Sequence, residues 1–206
     1  ESLIRGVPSL SCPLPGEVVP PLMIGRRDMP IPTDKQADQR IDIVGGVDTP
    51  GRAFDLIISG DHAFIADGPA GLQVIDISNP LSPAIVGDVP GPAMGVAIND
   101  AIVCVVGGGE DVRIINVSNP AAPFLVDTAN TSFYAHFIAM AGPYVLVGGH
   151  SGMLQVIDVG VPSNPLILGG IHIDYSFASS ITIAGDVAYL TRSYGLDLID
   201  ITHFTS

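Results

Sequence analysis

Five histidines, two cysteines and twenty-one acidic residues carry most of the side-chain chemistry open to this 206-residue chain. The histidines are His62, His136, His150, His172 and His203. No two have the H-x-x-x-H spacing that aims a pair at one metal, and no C-x-x-C occurs. Cys12 and Cys104 are too few for a disulfide framework. Cys104 sits in the apolar run Ala101–Val106 and reads as a small buried side chain; Cys12 lies in a proline-rich stretch. Two unpaired thiols are expected, with a Cys12–Cys104 bridge as the alternative. Eighteen of the acids are Asp, a residue that suits turns and also binds hard cations. No D-x-D-x-D run is present, so adventitious Ca²⁺ is the most these acids offer, and no cofactor or resident metal is expected. Gly107-Gly108-Gly109 lacks the G-K-[ST] ending of a phosphate cradle, and no helix follows it; it reads as a hairpin loop. G-x-S-x-G is absent, and no Ser, His and acid can be placed together. The chain is therefore not expected to be an enzyme. Two glycosylation sequons occur: Asn130-Thr131-Ser132 in a loop, and Asn116-Val117-Ser118 inside a strand, where no acceptor is expected.

With 21 acidic against 8 basic residues, the formal net charge is −13, and Lys35 is the sole lysine. Binding to nucleic acid needs clustered Lys and Arg, so that class is excluded, as are anionic membrane surfaces. The acidity reads as solubility for an otherwise apolar chain. No 18-residue apolar run marks a transmembrane helix. The chain begins at Glu1 without a basic-then-apolar leader, which is compatible with a trimmed, exported product.

The elements that must position any site are legible in a phrase that returns. Gly71 to Pro83 reads G-L-Q-V-I-D-I-S-N-P-L-S-P, a short apolar run followed by a rigid exit. Its counterparts begin at Asp111, Gly152 and Gly195. Asp76, Asn116, Asp158 and Asp200 mark the equivalent positions, with steps of 40, 42 and 42 residues. A fixed period of that size marks a repeat architecture. Each full repeat holds four short runs: Asp55–Ser59, Ala63–Ala66, the phrase itself, and Ile85-Val86 with its flanks. Gly-rich tips separate the second run from the third and supply the positive φ that hairpin loops need. Four antiparallel strands in about 40 residues make the blade of a β-propeller.

The phrase resembles the LVIVD repeat. Leu72-Gln73-Val74-Ile75-Asp76, Leu154-Gln155-Val156-Ile157-Asp158 and Leu196-Asp197-Leu198-Ile199-Asp200 carry the likeness, with Ser-Asn-Pro tails after the first two. Val112-Arg113-Ile114-Ile115-Asn116 departs at its last position. The resemblance spans roughly residues 39–204 and implies an exported bacterial or archaeal propeller, extracellular, at the cell surface or periplasmic. It implies no catalytic residues.

The expected fold is all-β: a propeller of four blades of four antiparallel strands over residues 38–206. The last repeat stops after its third run, while Arg40–Val47 reads as an isolated fourth run. Pairing of Arg40–Val47 with Leu196–Ile201 would close a four-bladed ring and cover an open edge. The competing reading is a piece of a larger ring. Residues 1–37 form a separate extended arm in which proline blocks helix. Its Leu10, Val18, Val19, Leu22, Met23 and Ile24 make it more apolar than flexible tails usually are, so the arm should dock on a surface.

In a propeller the starts of the first strands line the axial opening, which nominates Asp55 and His136 as residues that could meet there and hold a ligand. Three functions follow. The first is a structural subunit that assembles with copies of itself through the arm, as a homo-oligomer, filament or surface layer. The second is an extracellular module whose propeller face binds a protein, glycan or small ligand. An enzyme comes last, because no acid–base pair or nucleophile can be named.

Overall fold

A run such as Leu72-Gln73-Val74-Ile75-Asp76 is too short for a stable helix, and its β-branched side chains suit a pleated surface. Flanked by glycine and proline, it becomes a strand, and so does every comparable run. The computed structural model describes residues 41–149, 151–173 and 178–205. Blade 1 holds β1 (Asp55–Ser59), β2 (His62–Ala66), β3 (Leu72–Asp76) and β4 (Ala84–Val89). Blade 2 holds β5 (Gly95–Asn99), β6 (Ile102–Val106), β7 (Asp111–Asn116) and β8 (Phe124–Asn130). Blade 3 holds β9 (Phe137–Ala141), β10 (Tyr144–Gly148), β11 (Met153–Asp158) and β12 (Leu166–His172). Blade 4 holds β13 (Ala178–Ala184), β14 (Val187–Arg192) and β15 (Gly195–Asp200), and a single helical turn α1 (Thr202–Thr205) follows. Each blade is an antiparallel meander whose strands pair in chain order. The strands form a four-bladed β-propeller whose sheets, among the described residues, hold four, four, four and three strands. Among the described residues no helix is long and apolar enough to cross a membrane.

The terminal Asp of the phrase has a local task. The Asp76 Oδ1 accepts the Ser78 amide at 2.8 Å, and the Asn79 Oδ1 accepts the Leu81 amide at 3.2 Å. Asn116 accepts Ser118, Asp158 accepts Gly160 and Asp200 accepts Thr202 in the same way. The turn needs a short side-chain acceptor two residues before the amide, which Asn supplies as well as Asp does. That is why Asn116 can depart from the repeat without changing the fold. One residue further on, the Ile77 amide reaches the Asp61 carbonyl; Val117, Val159 and Ile201 make the same return. Every complete blade also slips register between its third and fourth strands, after Val74, Ile114 and Val156. Such a bulge bends and twists the outer strand.

Alternation builds the core between blades rather than within them. Across blade 1, Ile57, Phe64 and Val74 share one row of the pleat. They pack with Val96, Val103 and Val105 of blade 2. Cys104, Val112 and Ile114 of blade 2 pack with Ile138, Val145 and Val147 of blade 3. Leu146, Leu154 and Val156 then pack with Ile181, Ala188 and Leu190 of blade 4. Cys104 is free and fully buried, and burial pushes its thiol up to about 12. Backbone bonds stitch the same junctions. Gly68 and Ala93 exchange two, at 2.8 and 2.9 Å, and Ala135 joins Gly108 and Gly109.

The expected closing strand is not formed. Residues 41–49 carry no strand, and among the described residues β15 has no outer neighbour. The physical reason is where this segment is anchored. A Cβ on Gly45 would run into the Pro80 carbonyl, as one on Gly87 would run into that of Pro120. Residues 43–47 thus lie against the exit turn of blade 1 as β4 lies against the exit turn of blade 2. Asp67, wholly buried, accepts the Thr49 hydroxyl and the Gly51 amide, each at 2.7 Å. Every one of these ties is to blade 1, and none reaches blade 4. The arm, residues 1–37, lies outside the described residues, and so do its Leu10, Val18, Val19, Leu22, Met23 and Ile24.

Candidate functional site

The first strands β1, β5, β9 and β13 surround one cavity of about 480 Å³. Its lining includes Asp55 and His136, with Phe54, Met94, Ser179 and Ser180 beside them in the chain or at the matching places of the other blades. The structure therefore brings Asp55 and His136 to the same opening. It also gives Asp55 a structural task. One carboxylate oxygen caps the Leu56 amide at 2.9 Å and the other accepts the Val96 amide at 3.0 Å, which ties β1 to β5. His136 is half-buried, and its amide donates to the Gly148 carbonyl. Among the described residues no group of three His, Cys, Asp or Glu side chains is placed to share a metal ion.

The hairpin tips form a second polar belt. Gln73 donates to the Ala70 carbonyl at 3.1 Å. At the same position in blade 2, Arg113 is buried and donates to the Pro90 carbonyl, its guanidinium lying against Gly91. Burial presses its pKa down, opposed by the nearby Asp111 charge. In blade 4 the position holds Asp197, which pairs with Arg192 at 2.9 Å. Arg113 thus fastens its tip to the segment that enters blade 2, while Gln73 and Asp197 each hold their own hairpin tip.

The largest departure from a sealed propeller is at the ends. β1 packs on β5, β5 on β9 and β9 on β13, but β13 does not pack on β1 in this way. The consequence is visible at equivalent positions. Leu72, Val112 and Leu154 are at most 3% exposed, whereas Leu196 is 50% exposed. Val74, Ile114 and Val156 are at most 8% exposed, whereas Leu198 is 63% exposed. On the opposite face, Val96, Ile138 and Ile181 are at most 8% exposed, whereas Leu56 is 59% exposed. Ile58, the next residue on that face of β1, is as open as Leu56. Sequence reasoning did not single out these four side chains, nor Asp67. The signal was present, because each stands at a repeat position whose other copies are interior.

The LVIVD repeat model matches residues 50–89, 90–131 and 134–171. The chain belongs to the LVIVD repeat family. The fourth copy, ending at Asp200, lies outside the matched ranges. No curated protein matches the chain. Among solved structures, the computationally designed Ika4 protein is 14% identical, with a TM-score of 0.64 over 79% of this chain and 99% of that one. The computationally designed Ika8 protein is also 14% identical, with a TM-score of 0.60 over 72% of this chain and 46% of that one. At that identity the likeness is one of fold.

Proposed function

We propose that this LVIVD-repeat propeller is an exported, non-catalytic structural subunit that assembles with copies of itself. The observation that carries the reading is the pair of bare ends, where side chains of interior type stand in solvent on β1 and β15. Contiguous apolar surface of this kind marks an interaction site. The use of Asp55 as a clamp between blades supports scaffold over catalyst. The aliphatic arm, residues 1–37, supplies a second contact, adding an extended segment to a neighbour's strand edge. A contact that closes gives a finite homo-oligomer, and one that repeats without closing gives a filament or surface layer. Light-scattering mass of the full chain and of a chain beginning at Ala37 tests this. Assembly of the full chain supports the reading, and its loss on deletion assigns the contact to the arm. A full chain that stays single at high concentration contradicts it.

A second reading rests on the cavity. A space of about 480 Å³ with Asp55 and His136 at its mouth is within the size range of small-ligand sites. On that reading the protein is an extracellular binding module for a protein, glycan or small ligand. Binding in a glycan and metabolite screen that disappears in Asp55→Ala and His136→Ala together would favour it.

A further inference from the structure

We infer that the two bare ends are the two halves of one junction, and that a second copy of this chain fills it head to tail. The inference rests on the self-assembly reading and names the surfaces and the partner. Blades 1 to 4 form three junctions, each pressing the forward face of one blade on the rear face of the next. The rear face of blade 1 and the forward face of blade 4 are left over. They are therefore complementary in kind: Leu196 and Leu198 correspond to Leu72 and Val74, and Leu56 and Ile58 correspond to Val96 and Ile98. In the formed junction, Leu72, Val74 and Val96 belong to one cluster, with Ile98 packed against it.

The backbone makes the same offer. Among the described residues, β15 has no strand on the edge where the other blades have a fourth. Residues 43–47 follow β4's path past an exit turn, with Gly45 against Pro80 as Gly87 is against Pro120. Ile43, Val44 and Val47 are nonetheless exposed. This segment is laid out as the fourth strand of a preceding blade. Within one chain that blade would have to be blade 4, but β13 stands off β1 while the other three junctions are made. Closing on itself would require those three packed junctions to shift. A second copy would supply the missing blade at each end, and residues 43–47 of each chain would then complete blade 4 of the other. Each contact is heterologous, and two of them related by a two-fold axis close a ring.

Complementation separates this arrangement from the alternatives. Leu56→Arg spoils only the rear face of blade 1, and Leu198→Arg only the forward face of blade 4. The parent chain should sediment as two copies, and each variant alone as one. An equimolar mixture should return to two copies, held by the single intact junction and dissociating at a lower dilution than the parent. Both substitutions are at exposed sites, and each variant's far-UV circular dichroism and cooperative melt confirm that it folds. Ile58→Glu and Leu196→Glu form a second pair should either arginine variant misfold. A mixture that stays monomeric overturns the inference, and so does open growth beyond two copies. Variants that assemble as the parent does also overturn it and move the contact to the arm, leaving self-assembly intact. A parent that is monomeric at all concentrations overturns both.

Discussion

Leu72 and Leu196 hold equivalent places in the third strand of their blades, each following a glycine and each on the same side of the pleat. One is sealed and the other half open to water. The difference does not lie in the blades, because blade 4 repeats the pairing of blade 1 over its first three strands. It lies in whether a next blade is there. The stability of such an array is close to a sum over repeats and their nearest-neighbour interfaces. The middle junctions of this molecule hold it together, and the missing one leaves its surface chemistry.

Substitution at matched positions should break that comparison most sharply. Ile114→Ala, in the sealed face between blades 2 and 3, should cost about 2–5 kcal/mol in denaturant unfolding. Leu198→Ala, at the equivalent place on the open face, should change the unfolding of the single chain by less than about 0.5 kcal/mol. Equal losses would mean that the open face is not open in solution.

The entry segment should be next in size. Asp67 is wholly buried and holds Thr49 and Gly51. Removing a charged acceptor from two such bonds costs about 1.5–3 kcal/mol. Asp67→Ala should therefore release residues 43–51, read as faster amide exchange at Gly51 and new proteolysis there. Exchange in blades 2 and 3 should stay at the parent's rate. If blade 2 loosens too, Asp67 supports more than the entry.

Glycines offer a smaller contrast. Gly71 has φ +89°, and a Cβ there would meet the Val89 carbonyl; Gly60 has φ +56° with open space around it. Gly60→Ala should cost only the strain of the left-handed region, about 1–2 kcal/mol. Gly71→Ala should cost more, because the outer strand must also move. A thermal melt of each variant orders the two.

The smallest effect is expected at the exit turns. Hydrogen bonds from the Ser78 hydroxyl and amide hold the Asp76 carboxyl below its ordinary value, and the amide and hydroxyl of Thr202 do the same for Asp200. A depressed folded-state pKa stabilises above the unfolded value of 3.8, and the contribution is lost as pH falls through and below it. Asp76→Asn should preserve the turn, as Asn116 does in blade 2, and flatten the melting temperature's dependence on pH below about 4. Asp76→Ala should lower the melting temperature at neutral pH as well. Identical melts for the two variants would show that the acceptor is dispensable.

Much of this was legible in the chain because repetition supplies its own controls. Four copies of one phrase fixed the strands, the hairpin tips and the blade count, and the placement of Asp55 and His136 at one opening followed from topology. What was not legible is long-range. Arg40–Val47 has the composition of a fourth strand, but composition cannot say which edge a strand finds. Gly45 against Pro80 and Asp67 beneath Thr49 decide that, and both are contacts across more than fifteen residues. The clamp role of Asp55 was hidden for the same reason, since its partner Val96 is 41 residues away.

The central claim is that the fourth junction exists and is made between chains. Amide exchange along β15, measured on the full chain at high and at low concentration, tests it most directly. The account predicts that the β15 amides not bonded to β14 are protected when concentrated and exchange freely when dilute. Protection at both concentrations would mean that the chain closes on itself, and exchange at both would mean that the edge stays empty; either result contradicts it.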